Sequence, residues 1–206
     1  MGKFSLSTFQ RLPIYLNYLD SIDWKNQTNL SATQLAMALN LGEIQVRKDL
    51  ASLSCEGKPK IGYDIKVLIK ALKKTLGCHT KKDAVIVGVG KLGQALMGYS
   101  GFAEFGLNIV AGFDVDVSKT DSIISGAKIL PIENLRAFLT ENDIPLIILT
   151  LPQTKAQEIV NMVEGTCVKG IWNFTTAHIN APKGVIVKTE NMASSLAILS
   201  KQISEI

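Results

Sequence analysis

The chain has 206 residues, 47% of them hydrophobic and 19% charged, with a net charge of +4. That composition is globular and too apolar for a disordered chain, and no apolar run approaches the roughly 20 residues that a membrane span needs. Three scattered cysteines (Cys55, Cys78, Cys167), no C-x-x-C and only two histidines (His79, His178) argue against a disulfide framework and against a bound metal. A cytoplasmic protein with no membrane or metal partner is expected. The charge is uneven: residues 1–82 carry +7 and residues 83–206 carry −3. A basic first part joined to an acidic second part suggests that only one of them meets a polyanion.

Taken in chain order, Ser7–Ile22 places Phe9, Leu12, Ile14, Tyr15, Leu16, Tyr18 and Leu19 largely at helical spacing. Asp23–Asn29 is polar and turn-like. Ser31 and Gln34 then form a capping-box signature that opens a second helix with Leu35, Ala36 and Leu39 inward. Asn40-Leu41-Gly42 breaks it. A third helix, about Glu43–Leu53, is expected to bury Ile44, Val46 and Leu50 and to leave Gln45, Arg47 and Lys48 to solvent. Two short helices joined by a tight turn, the second bearing basic side chains, make a helix-turn-helix layout. The segment Gly57–Tyr63 follows as a candidate β-wing. Gln45 and Arg47 suit base edges, with Arg the best bidentate reader of guanine. Lys48, Lys58 and Lys60 suit phosphates, and Ser31 and Tyr63 complete the candidate DNA-contact set.

Next, Ala84–Val87 is an apolar run that leads into Gly88-Val89-Gly90-Lys91-Leu92-Gly93, a G-x-G-x-x-G pattern followed by an amphipathic segment, Gln94–Tyr99. Strand before and helix after is the context that gives this pattern meaning. The first glycine permits a tight turn, the second lets backbone approach a pyrophosphate, and the third allows helix to lie close on strand. A second strand, Leu107–Phe113, ends at Asp114, 21 residues beyond Gly93, with Val115 next. An acid there binds ribose hydroxyls and repels a 2′-phosphate, which favours NAD over NADP.

Strand and helix then alternate: Ile129–Pro131, a helix over Ile132–Thr140, a strand over Ile144–Leu149, a helix to about Glu164, and strands at Gly170–Trp172 and Gly184–Val187. The alternation implies an α/β fold with a doubly wound parallel sheet and a ligand at the carboxyl strand edge. Thr150, Leu151, Pro152, Asn173, Phe174 and Thr175 fall on that edge, toward the nicotinamide end. His178 is the only histidine near it and has no orienting partner in the sequence, so the site lacks a proton shuttle and reads as a sensor. Residues 190–206 form a final helix with Met192, Leu196, Leu199 and Ile203 as an apolar stripe. That stripe fits either its own sheet or a second subunit.

The segments RLPIYLNYL, QVRKDL, IGYDI, VGVGKLGQAL, GFDVD, TLP and IWNF, with a terminal helix ending in ILS, resemble the Rex family of redox-sensing transcriptional repressors over nearly the whole chain. The resemblance implies a homodimer that binds palindromic double-stranded operators through winged-helix domains (1–80). It implies Rossmann domains (81–189) that sense the NADH/NAD⁺ ratio, and a terminal helix (190–206) swapped between subunits. NADH would release the DNA, without enzymatic activity. Arg47 and Lys48 become DNA contacts, Gly88, Gly90, Gly93 and Asp114 hold NAD(H), and Tyr99 matches the tyrosine of the family's redox switch. Ala51–Lys60 departs from the glycine/aromatic segment of many members. Asn17 and Asn191 stand where some members carry an Arg and an Asp that exchange partners with the tyrosine. The fold therefore carries over and the charged switch does not. An NAD-dependent oxidoreductase and a dimeric nucleotide-binding regulator with an altered redox response are the alternatives.

Overall fold

The structure is a computed structural model and describes residues 4–25, 27–53 and 55–205. The chain divides into two compact units, residues 1–80 and 81–206. No helix among the described residues is long and apolar enough to cross a membrane.

The first unit comprises α1 (Leu6–Asp20), β1 (Asn29–Leu30), α2 (Ala32–Ala38), α3 (Glu43–Ala51), β2 (Tyr63–Asp64) and α4 (Ile65–Leu76). Its core is built from Leu12, Tyr15 and Leu19 of α1, Leu35 of α2, Val46 and Leu50 of α3, and Leu68 and Leu72 of α4, all fully buried. The α2 start is the capping box: Gln34 N–H donates to Ser31 Oγ at 3.1 Å and Ser31 N–H donates to Gln34 Oε1 at 2.9 Å. Such a cap contributes about 1 kcal/mol. Helix α4 was not anticipated, although its signals are local. Asp64 caps it by accepting from Val67 N–H at 3.0 Å, and Gly77 ends it in the left-handed region at φ 74°. One expectation fails outright. Ile44 is 74% exposed rather than buried, because the inward face of α3 is set by Val46, Asp49 and Leu50.

Strands β1 and β2 pair antiparallel, with Leu30 opposite Tyr63. Just before β2, Gly62 N–H donates to Lys58 O at 2.9 Å and Lys58 N–H to Gly62 O at 2.8 Å, closing a short turn at the expected wing. Gly62 (φ 92°) is required there, since a Cβ would lie 2.5 Å from Leu30 O.

The second unit holds β3 (Lys82–Val87), α5 (Lys91–Met97), α6 (Gly101–Glu104), β4 (Leu107–Asp114), β5 (Ile123–Ile124), β6 (Ala127–Pro131), α7 (Leu135–Glu141), β7 (Leu146–Leu149), α8 (Gln153–Met162), β8 (Gly170–Asn173), β9 (Ile186–Thr189) and α9 (Met192–Ile203). Its seven-stranded sheet has the order β5-β6-β4-β3-β7-β8-β9, with every neighbouring pair parallel except β5 with β6. The expected all-parallel sheet thus gains an antiparallel edge. A two-residue Ser125-Gly126 turn, both residues at positive φ, forms that hairpin. Chain order reverses at β3, which lies between β4 and β7, and a ligand crevice belongs at such a switch point. The register pairs Val87 with Phe113 and Leu149, and Leu149 with Asn173, so the strands end level with one another. One face of the sheet buries Val85, Val87, Leu139, Ile147 and Val160, and the other buries Ala84, Ile86, Ile129 and Ile148.

Candidate functional site

The glycine turn follows β3. Gly88 (φ 94°) reverses the chain there, and Gly88 N–H donates to Phe113 O at 2.8 Å. Thr150 Oγ1, just beyond β7, donates to Gly88 O at 2.6 Å and pins the turn from the other side. A Cβ on Gly93 would lie 2.2 Å from Gly88 O, so α5 approaches the turn only because residue 93 is glycine. A Cβ on Gly90 would meet nothing, which leaves the backbone open on that side. Gly90 caps α5 without a side-chain hydrogen bond.

Beside the turn lies a cavity of 550 Å³, within the range of cofactor sites. Of the residues expected to hold a dinucleotide, Gly88, Gly90, Asp114, Val115, Thr150, Leu151 and Pro152 line it. Val89 is fully buried and serves through its backbone, donating to Asp114 Oδ2 at 2.7 Å. Lys91 is exposed and Leu92 half-buried on the first turn of α5. Asn173 and Thr175 are buried in their own turn, where Asn173 Oδ1 accepts from Thr175 N–H and Oγ1 at 3.0 and 2.7 Å. Phe174 lies 4.7 Å from the Trp172 ring, which continues through Phe102 (5.5 Å) to Tyr99 (4.9 Å). Tyr99 is 60% exposed at the end of this aromatic row.

Asp114 is buried, and both of its carboxylate oxygens hold internal donors while Oδ1 keeps acceptor capacity. Oδ1 accepts from Asp116 N–H at 2.9 Å, and Oδ2 accepts from Val89 N–H and from Lys119 Nζ at 3.1 Å. Burial alone would push this carboxyl up, but those hydrogen bonds outweigh it and hold the group below the ordinary carboxylate range. Lys119 was not expected beside Asp114. The spacing Asp114, Asp116, Lys119 was its only trace, since a flexible lysine declares its partner only through the fold. The α8 residues Lys155 and Glu158, which also line the cavity, were likewise not foreseen.

In the first unit Asp49, 2% exposed, anchors α3. Arg11 donates to it through Nε and Nη2 at 2.7 and 3.0 Å, Tyr15 Oη donates at 2.7 Å, and Gln45 Nε2 donates at 3.0 Å. Burial pushes the Asp49 carboxyl up, but the hydrogen bonds from Arg11, Tyr15 and Gln45 prevail and hold it below its usual value. Burial, reinforced by Asp49, raises the Tyr15 phenol. No sequence spacing pointed to this network, because its members lie on two helices. Of the residues expected at DNA, Arg47 is exposed and pairs with Glu43 one turn back. Lys48, Lys58 and Lys60 are exposed and Tyr63 is half-buried, whereas Ser31 is committed to its cap.

A family model described as "Putative DNA-binding protein N-terminus" matches residues 3–51, and one described as "CoA binding domain" matches residues 79–177. The chain is 40% identical to the redox-sensing transcriptional repressor Rex of Treponema denticola, over 92% of this chain and 90% of that protein. It is 37% identical to Rex of Caldicellulosiruptor saccharolyticus, over 98% of this chain and 92% of that one. The chain belongs to the Rex family. The fold agrees: the crystal structure of RSP in complex with β-NAD⁺ and operator DNA superposes with a TM-score of 0.91 at 28% identity, over 98% of this chain and 93% of that one. RSP in complex with β-NADH matches at 0.87 and 27%, over 100% of this chain and 96% of that one.

The residues that the resemblance implies for a redox switch lie on or beside three helices. Asn17 is exposed on α1. Tyr99 follows α5. Asn191 caps α9, its Oδ1 accepting from Ser194 N–H at 3.0 Å. Helix α9 itself is exposed along its length, with Met192, Leu196, Leu199 and Ile203 each at least half exposed. It starts at residue 192, not 190, because the Asn191 cap fixes its first turn.

Proposed function

We propose that this chain is a homodimeric repressor that binds palindromic operator DNA through α3 and the adjoining turn and releases it when NADH occupies the second unit. The observation that carries this reading is the presence, in one Rex-family chain, of a helix that presents Arg47 and Lys48 to solvent and a glycine turn facing an engaged aspartate at the sheet's switch point. The residues fit a dinucleotide. Gly90 leaves room for a pyrophosphate against the backbone, and Asp114 offers an ionised carboxylate to ribose hydroxyls. Asp114 would refuse a 2′-phosphate.

The bound cofactor supplies a redox-dependent charge, positive on the oxidised nicotinamide ring and absent on the reduced one. Leu151, Pro152 and Phe174 are the apolar side chains at the strand ends that would disfavour a buried cation and so favour NADH. Release of DNA requires NADH to prefer one dimer arrangement over another, since equal affinity for both shifts nothing. With Asn17 and Asn191 in place of a charged pair, that preference rests on Tyr99 and on neutral hydrogen bonds of about 0.5–1.5 kcal/mol each. The exposed apolar stripe of α9 supports dimerisation through residues 190–206, and a regulator acting on DNA with reduced thiols works in the cytoplasm. Its relatives are named as regulators, and no catalytic residue is assigned.

A mobility-shift assay on a palindromic duplex library with NAD⁺, NADH or neither tests the reading. Retention with NAD⁺ and release with NADH supports it. Steady turnover of NADH on a substrate panel, with no DNA retained, would replace it with an oxidoreductase.

A further inference from the structure

Ile44 is the second residue of α3 and is 74% exposed, while Val46 beside it is fully buried. Residues 44, 47, 48 and 51 recur at i, i+3, i+4 and i+7, and all four are exposed, so they share the outward face of the helix. That face carries one large aliphatic side chain beside two cations, Arg47 and Lys48. Its place in the first turn is where a recognition helix meets base edges. The polar neighbours are already engaged: Gln45 donates to Asp49 at 3.0 Å, and Arg47 pairs with Glu43. A second copy of the same face would set like charges against one another, which disfavours self-association there. On the major-groove edge of a base pair, the apolar feature that accepts an aliphatic side chain is the C5-methyl of thymine.

We propose that Ile44 reads a thymine methyl group in the major groove, so that α3 selects T·A at one position of each half-site. This rests on the DNA-binding reading above and adds to it the identity of one recognised base. A buried methyl group contributes about four-fold in affinity.

To test it, the full chain with NAD⁺ is used to enrich a palindrome from a random duplex library. Each thymine of the winning duplex is then replaced singly by uracil, which deletes only the methyl group. Fluorescence anisotropy should show about a four-fold loss at one thymine per half-site for the unaltered chain. Ile44→Ala should bind the thymine duplex about as weakly as the unaltered chain binds the uracil duplex, and should show no loss on that replacement. Ile44→Val should recover part of the discrimination. An equal loss for Ile44→Ala and the unaltered chain, or no loss at any thymine, overturns the proposal. So does a change in oligomeric state by sedimentation for Ile44→Ala with thymine preference intact, which would make this face a contact between copies. If no palindrome is enriched, the DNA-binding reading itself fails and the proposal falls with it.

Discussion

At the glycine turn the atoms proposed to meet a nucleotide belong to the backbone: Gly88 at positive φ, Gly90 open on one side, and Gly93 with no room for a Cβ against Gly88 O. On α3 the proposed DNA contacts are side chains, and those side chains have other partners: Arg47 holds Glu43 and Gln45 holds Asp49. A backbone site is formed before its ligand arrives and tolerates no side chain at Gly88 or Gly93. A side-chain site tolerates substitution but must exchange internal partners for external ones, so its affinity is a difference between two sets of hydrogen bonds. The comparison can be broken at either end.

The largest effect is expected at the turn. Gly93→Ala puts a Cβ against Gly88 O, and overpacking of that kind costs up to about 3 kcal/mol. Calorimetry should find NADH binding reduced more than 100-fold. Nearly as large is Asp49→Ala, which leaves Arg11 and Tyr15 without their acceptor and should destabilise the first unit by about 3 kcal/mol in urea. The same carboxylate predicts a pH dependence. Its folded-state pKa lies below the unfolded value of about 3.9. Its stabilisation is therefore complete above that value and is lost as pH falls through the lower folded-state one. Acid unfolding of the first unit should become less steep below about pH 4 in Asp49→Asn.

Smaller effects sharpen the contrast. Arg47→Ala should weaken specific binding by about 1–3 kcal/mol and relax the preference at one base position. A uniform loss over all sequences would make Arg47 a phosphate contact. Asp114→Ser removes the acceptor of Lys119 and should raise NADPH affinity about tenfold while lowering that for NADH. Asn191→Ala should cost α9 about 1 kcal/mol through its cap and move the half-release concentration of NADH only mildly. Loss of residues 190–206 should yield monomers in sedimentation, which a soluble dimer would refute.

The same contrast governs what could be read without a structure. Glycine spacing, strand runs and the capping box are local signals, and each led to the element it marks: Ser31 to α2, Val87-Gly88 to the turn, Leu107–Asp114 to β4. Helix α4 had local signals too, in Asp64 and Gly77, but the Gly/Pro-rich stretch before it drew attention to a wing. Ile44 was expected in the core with Val46 and Leu50, yet two residues of helix turn it about 200° away from Val46, off the buried stripe of Val46, Asp49 and Leu50. Arg11 on Asp49 is a tertiary pairing between residues 38 apart, for which a single sequence carries no spacing rule, and Lys119 reaches Asp114 across a loop that fits no regular helix or strand spacing.

The redox state of the bound nucleotide is proposed to govern DNA binding by α3. The direct measurement is the fraction of an enriched operator duplex bound by the full chain, by anisotropy, while the NADH/NAD⁺ ratio is varied at constant total nucleotide. The account predicts that the bound fraction falls as the ratio rises, and that Gly93→Ala makes it flat. A bound fraction in the unaltered chain that ignores the ratio, while calorimetry shows both nucleotides bound, would contradict it.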